Sequence, residues 1–123
     1  MNDIELECGE GRGWVHLRGF PIGPEWLLVI TNSVGHLGSV AVAEYDPGSG
    51  RASASVITAA GHRDDLVAKA QAQALAGILK RRTCVVAGIH IDNPTDEELR
   101  QLVANSNELV RRFLDELRAR GVV

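Results

Sequence analysis

The chain has 123 residues, of which 45% are hydrophobic and 24% charged, the composition of one globular domain over residues 1–123. This excludes an intrinsically disordered chain, a collagen-like repeat and a disulfide-dense miniprotein. With 13 Lys and Arg against 16 Asp and Glu, the net charge of −3 leaves no positive excess to neutralise a nucleic-acid backbone, so we expect no nucleic-acid partner.

The N-terminus and the cysteines indicate the cellular compartment. Residues 1–7 are acidic where a secretory signal would be basic, and no apolar run is long enough to cross a bilayer. Cys8 and Cys84 fit no metal-ligand spacing, no C-x-x-C motif and no disulfide framework. We therefore predict a cytoplasmic protein with no membrane partner.

The first half of the chain has the pattern of strands separated by turn residues. The apolar run Trp26–Ile30 has no polar face, which predicts a central strand covered on both sides. Pro and Gly within residues 46–50 predict a hairpin loop between two antiparallel strands. The strands predicted in this half cover residues 14–20, 25–31, 37–45 and 52–58.

The second half changes to a helical period. Apolar residues recur at intervals of three and four over residues 64–80, which predicts a first helix. Residues 83–91 are short, β-branched and apolar, which predicts a buried strand reached by a parallel, right-handed crossover. Thr95 and Glu98 form a capping box that opens a long amphipathic helix ending at Gly121.

These elements predict an α+β fold, with a mostly antiparallel sheet of five or six strands and two helices packed on one face. Two helices can cover only one side of such a sheet. Because the run Trp26–Ile30 is expected to be buried on both sides, we predict that a second copy covers the other side and that the protein is a homo-oligomer.

Three of the four histidines, His36, His62 and His90, follow a glycine by one or two positions and lie at or near predicted strand ends. If the strands that precede the two helices are parallel neighbours, their ends meet beside two helix N-termini at one edge of the sheet. Ligands commonly bind at such an edge. We therefore expect the three histidines to share one pocket.

The segment before the first helix has the features of a phosphate site. Gly61 allows close backbone approach, His62 and Arg63 add donors, and the first N–H groups of a helix attract anions. The structural alternative is that Asp64 or Asp65 caps the helix and Arg63 is solvated, and both carboxylates would oppose an anion.

Polar residues flank the other two histidines. Asn32 and Ser33 lie in the turn before His36, where they can bond a ligand or form a plain hairpin loop. Asp92 and Asn93 follow the third histidine and can hold a ligand or orient an imidazole. The alternative for this pair is an Asx-turn before the next proline.

The same histidines also allow an enzyme, as the alternative to a ligand-binding protein. It would be a small metal-dependent hydrolase or lyase, with His36, His62, His90 and Asp92 as ligands for zinc or ferrous iron. No H-x-x-x-H or H-x-E spacing supports such a site. The chain also has no G-x-S-x-G, Walker A or G-x-G-x-x-G motif. A purely structural, oligomer-forming subunit is the third possibility.

The segments GHLGSVAVA (35–43), GHRDD (61–65) and AGIHIDN (87–93), followed by an acidic capped helix, resemble the LpdD-like proteins, which are named for a small component of gallate decarboxylase. The resemblance spans residues 26–117. It implies a non-catalytic chaperone that binds prenylated FMN and serves a UbiD-type decarboxylase, which performs the chemistry.

The cofactor-binding residues that this resemblance leads us to expect are the polar groups singled out above: Asn32, Ser33, His36, Gly61, His62, Arg63, His90, Asp92 and Asn93. Aromatic residues are scarce near these motifs. Trp14 and Trp26 are the candidates for a wall against the flavin ring.

Overall fold

The structure, a computed structural model, describes residues 2–59 and 65–123. A 3₁₀ turn at Gly11–Gly13 follows the first strand. The strands and helices, in chain order, are β1 Ile4–Cys8, β2 Val15–Ile22, β3 Glu25–Thr31, β4 Ser39–Asp46, β5 Arg51–Thr58, α1 Asp65–Leu79, β6 Thr83–Gly88 and α2 Asp96–Ala119.

Six strands of the described residues form one mixed sheet in the order β1-β2-β3-β6-β4-β5. β3 and β6 run parallel, and every other neighbouring pair in this sheet is antiparallel. The predicted α+β class, the mostly antiparallel sheet and the two helices are confirmed.

The strand pairing around α1 differs from the prediction. β5 and β6 run in the same direction, but they are not neighbours, because β4 lies between them and pairs antiparallel with both. The carboxyl ends of β5 and β6 still point to one edge of the sheet, where β3 also ends. The predicted edge therefore exists, although β3 takes the place expected for β5 beside β6.

Both helices pack on one face of the sheet. α1 lies against β4, β5 and β6, and α2 lies against β1 and β2. Alternate strand residues such as Leu17, Leu28 and Val85 are fully buried beneath them, as period-two side-chain geometry requires. The small side chains of α1, among them Ala68 and Ala72, allow its close approach to the sheet.

Within the described residues of the single chain, the run Trp26–Ile30 is covered by the helices on one side, and the cover expected from a second copy on the other side stays a prediction. Trp26, Leu28 and Ile30 are at most 4% exposed beneath the helices, whereas Leu27 and Val29 point to the other side and are only half-buried. Side chains alternate across a strand, so a continuous apolar run supplies both faces even where one of them lacks a cover.

We call this second side the open face. Both helices lie on the opposite side of the sheet, and the strand registers place a continuous apolar group on the open face. Its apolar side chains are Phe20, Leu27, Val29, Val40, Val42, Ile57, Cys84 and Val86.

The N-terminus of α2 carries the predicted capping box. The Glu98 N–H donates to Thr95 Oγ1 over 3.1 Å, and the Thr95 N–H donates to Glu98 Oε1 over 3.0 Å. Neither α1 nor α2 is long and apolar enough to cross a membrane.

Candidate functional site

The candidate site lies where β3 and β6 end side by side and β4 begins. Asn32, the first residue after β3, fastens the two strand ends together. Its Nδ2 donates to the His90 carbonyl over 2.7 Å, and the His90 N–H donates to Asn32 Oδ1 over 3.1 Å. This pair of bonds continues the parallel β3–β6 ladder through a side chain.

The loop before β4 crosses the end of β6 at very short range. The His36 N–H donates to the Gly88 carbonyl over 3.3 Å, and the Gly38 N–H donates to the Ala87 carbonyl over 3.2 Å. A Cβ atom on Gly88 would lie 1.4 Å from the His36 carbonyl oxygen, and one on Gly35 would lie 2.7 Å from the Gly88 carbonyl oxygen. Gly35 and Gly88 are therefore needed for the backbone crossing itself.

This crossing brings two of the three predicted histidines together. The ring centroids of His36 and His90 lie 5.8 Å apart, with their planes inclined by 61°. His90 Nε2 lies 2.9 Å from Asp92 Oδ1, so the carboxylate is within hydrogen-bond distance of the second ring. The structure therefore brings His36 and His90 close together, but the cavity that His36 lines does not include His90 in its lining, and His62 lies outside the described residues.

A cavity of about 360 Å³ opens beside His36 on the open face, near the carboxyl ends of β3 and β6. Its floor consists of the adjacent valines Val29 and Val86, and its rim carries hydroxyl, amide and imidazole groups. Arg18 of β2 stands at one side. The complete lining is Arg18, Val29, Thr31, Asn32, Ser33, Gly35, His36, Leu37 and Val86.

The predicted site residues divide into three groups by position. Asn32, Ser33 and His36 line the cavity, and His90 with Asp92 lies directly behind His36 and Asn32. Asn93 is exposed, and its φ of 46° is a left-handed conformation that Asn tolerates in turns, which favours the turn interpretation. Gly61, His62 and Arg63 lie outside the described residues.

The sequence interpretation missed Arg18 as a residue of this cavity. The period-two pattern placed it on the same strand face as Trp14 and His16. Which strands flank it could not be read from that pattern, because the cavity depends on β6 pairing with β3 across more than fifty residues of intervening chain.

Neither tryptophan forms a wall of this cavity. Trp26 is 4% exposed and packs edge-on against Phe113 of α2, with 5.2 Å between ring centroids. It is therefore a core residue and cannot present a ring face to a ligand. Trp14 stacks on His16 at 5.7 Å and does not line the cavity.

The metal-site alternative gains no support from the part of the chain that the structure describes. No group of three His, Cys, Asp or Glu side chains within residues 2–59 and 65–123 has a geometry that could hold a metal ion. Asp92, one of the proposed ligands, lies instead against the His90 ring. His62, another proposed ligand, lies outside these ranges.

Comparisons with known proteins give a family and a fold. The model of the prenylated flavin chaperone LpdD-like domain matches residues 9–118. Among solved structures, a chain of the crystal structure of a novel chaperone complex for yeast 20S proteasome assembly matches with a TM-score of 0.58 and 16% sequence identity, covering 97% of this chain and 98% of that one. At this identity the likeness shows a shared fold. No curated protein matches the sequence.

Proposed function

The chain belongs to the LpdD-like family of prenylated flavin chaperones, and we propose that it binds prenylated FMN in the cavity beside His36 and supplies it to a UbiD-type decarboxylase. On this proposal the chain itself is non-catalytic. It positions and protects the cofactor, and the partner enzyme performs the chemistry.

The observation that carries the proposal is the composition of the cavity. A flavin ring is flat and apolar on its faces but has carbonyl and ring-nitrogen groups at its edge. Val29 and Val86 offer an apolar floor for such a ring, and Ser33 and His36 offer polar groups at the rim. A volume of about 360 Å³ lies in the range of small-molecule sites.

The residues behind the cavity act on this proposal as supports. Asn32 ties the two strand ends together, and Asp92 holds the His90 ring against His36. Ligand-binding groups whose rotamers are fixed in this way lose less conformational entropy on binding. We include Gly61, His62, Arg63 and Asn93 in the proposed site on the sequence pattern alone.

The environment of Cys84 also favours a binding role over a nucleophilic one. Burial raises the pKa of the Cys84 thiol, so the group is protonated at neutral pH. A protonated thiol is a poor nucleophile. Cys84 then contributes apolar surface to the open face beside Leu27 and Val42.

We also propose that the protein is a homo-oligomer in which two copies pack their open faces together. Antiparallel strands that face water normally present polar side chains there, but Val42 and Ile57 are 38% and 79% exposed on this face. A central apolar patch with polar groups toward β1 is self-complementary about a twofold axis. Such packing would place the second copy opposite Val29 and Val86, the floor of the cavity, and supply a second wall for the flavin.

Titration of the purified protein with FMN tests the function. We expect saturable binding of about one FMN per chain, detected by flavin fluorescence, and a loss of about tenfold in affinity for His36→Ala, the equivalent of one hydrogen bond. Circular dichroism checks that the variant is folded. In a second arm, protein loaded with prenylated FMN should activate an apo UbiD-type decarboxylase. Absence of flavin binding by the wild type would refute the proposal.

A further inference from the structure

Arg18 lines the cavity, and no carboxylate among the residues that the structure describes forms an ion pair with it. It lies on β2, exposed on the open face, with Val29 beside it on β3 and Glu5 beside it on β1. Glu5 is its natural cross-strand partner. Glu5 Oε1, however, lies 2.8 Å from His16 Nε2 and bonds that ring instead.

The other neighbours of Arg18 carry no negative charge: they are the Phe20 ring and the apolar and neutral polar residues of the cavity. Its guanidinium carbon lies 5.9 Å from the centre of the Phe20 ring, a cation–π contact that itself uses none of the five N–H donors. Within residues 2–59 and 65–123, Arg18 forms no ion pair and no side-chain hydrogen bond. By contrast, Arg12, Arg82 and Arg111 each bond a carboxylate.

The position of Arg18 beside the cavity floor indicates which part of a ligand it would contact. Arg18 stands at the end of the row Arg18–Val29–Val86, so a flat ligand on the two valines has one end against the guanidinium. Thr31 follows Val29 by two residues on β3, so its hydroxyl lies on the same face of the sheet. The Ser33 hydroxyl lies on the rim of the cavity. A planar fork with nearby hydroxyls is the donor set that binds phosphate bidentately.

From this geometry we propose that Arg18 binds the phosphate of the flavin and makes the cavity selective for phosphorylated flavins over riboflavin-type ligands. The inference rests on the proposed function and extends it by assigning a specificity-determining residue. It differs from the sequence expectation, which gave the phosphate to Gly61, His62 and Arg63, outside the described residues.

A comparison of two ligands in five proteins tests the assignment. FMN and riboflavin, which share the ring and differ in the phosphate, are titrated into the wild type, Arg18→Ala, Arg18→Lys, Arg63→Ala and the control Arg100→Ala. Arg100 is an exposed arginine of α2 paired with Glu97, away from the cavity. The control therefore measures the effect of removing one positive charge from the surface.

We expect the wild type to bind FMN more tightly than riboflavin. Arg18→Ala should weaken FMN binding by about tenfold to a hundredfold, the loss of one bidentate charge-assisted contact, and leave riboflavin binding unchanged. Arg18→Lys should retain part of the preference, because it keeps the charge and loses the fork. Arg100→Ala should behave as the wild type.

Three results would overturn the assignment. The first is an unchanged ratio of FMN to riboflavin affinity in Arg18→Ala. The second is an equal loss for both ligands, which would mean that Arg18 supports the fold or the oligomer. The third is loss of the ratio in Arg63→Ala alone, which would place the phosphate at the site expected from sequence. If the wild type binds neither flavin, the proposed function fails and this inference fails with it.

Discussion

The glycine that precedes each histidine has a structural cause in two of the three cases. Gly35 and Gly88 are the residues at which two backbone segments cross, and the histidines come together because the crossing holds them there. The sequence pattern therefore marked two segments that the fold brings together. It could not show the reason, because a close approach between residues more than fifty positions apart leaves no local signal.

Gly88→Ala tests this explanation. The added Cβ would lie 1.4 Å from the His36 carbonyl oxygen, a backbone atom, so the loop at 35–38 must move and its bonds to β6 must break. We expect the free energy of unfolding to fall by about 2 kcal/mol or more, as for other substitutions that force backbone movement in a packed region. Urea denaturation measures the change.

Gly77→Ala is the matched control for this substitution. Gly77 lies in α1, and a Cβ there would meet only the Ala52 Cβ at 3.9 Å, an ordinary contact. Because alanine favours helix over glycine by up to about 1 kcal/mol, this variant should be as stable as the wild type or more stable. If both alanine variants unfold at the wild-type urea concentration, the crossing at Gly88 is not the constraint described here.

At the scale of elements, the sequence predicted most of the structure where the signal is local. The capping box at Thr95, the amphipathic period of α2 and the hairpin at 46–50 are all confirmed. β6 is shorter than the predicted strand over 83–91, because the loop at His36 ends the ladder at Gly88. β1, which was not predicted as a strand, alternates Ile4 and Leu6 inward with glutamates outward, a readable signal in an acidic segment.

The start of α2 also depends on a long-range contact. Arg12, in the turn after β1, binds the Glu98 carboxylate and donates to the Asp92 carbonyl over 2.7 Å, so it joins α2 to the end of the candidate site. Hydrogen bonds from Arg12, and then from the Thr95 backbone, lower the pKa of Glu98 to about 2. No local pattern could show this contact, since its partners are 86 residues apart.

Arg12→Ala should therefore change how stability depends on pH. A carboxylate whose pKa is lowered by folding stabilises the protein above its unfolded pKa of about 4.5, and that contribution is lost as the pH falls toward about 2. The variant should be less stable than the wild type at pH 7, and the two should converge as the pH falls from about 4.5 to about 2. Denaturation series at pH 2 to 7 measure the difference.

Arg100→Ala serves as the control for this series as well. It removes an exposed Arg100–Glu97 pair at i,i+3 spacing on the same helix, a kind of contact that contributes at most about 0.5 kcal/mol. Its curve should run nearly parallel to that of the wild type. A constant difference between Arg12→Ala and the wild type down to pH 2 would contradict the role assigned to the Glu98 carboxylate.

At the scale of the whole molecule, the sequence predicted the layers but not the order of the strands. Local periods gave a sheet with two helices, and the crossover rule placed the strands around α1 side by side. In the structure β4 lies between β5 and β6. It pairs with β5 through the 46–50 hairpin, and its other side pairs with β6. Which strands become neighbours depends on how the whole sheet buries its apolar side chains. The sequence of a single segment does not show this.

This architecture leaves an apolar open face on the side of the sheet away from the helices. Val42→Lys tests whether a second copy covers that face. Val42 is 38% exposed on β4, between Cys84 and Ser55 in the strand register, so a lysine there can reach solvent in a single chain without disturbing the core. Buried between two apolar faces, its charge would strongly disfavour association. We expect the wild type to sediment as an oligomer at micromolar concentration and Val42→Lys to sediment as a folded monomer.

Val103→Lys, at a 45% exposed position on α2, is the matched control and should sediment as the wild type does. A monomeric wild type, or an oligomer that Val42→Lys leaves intact, would show that the open face does not form the contact between copies.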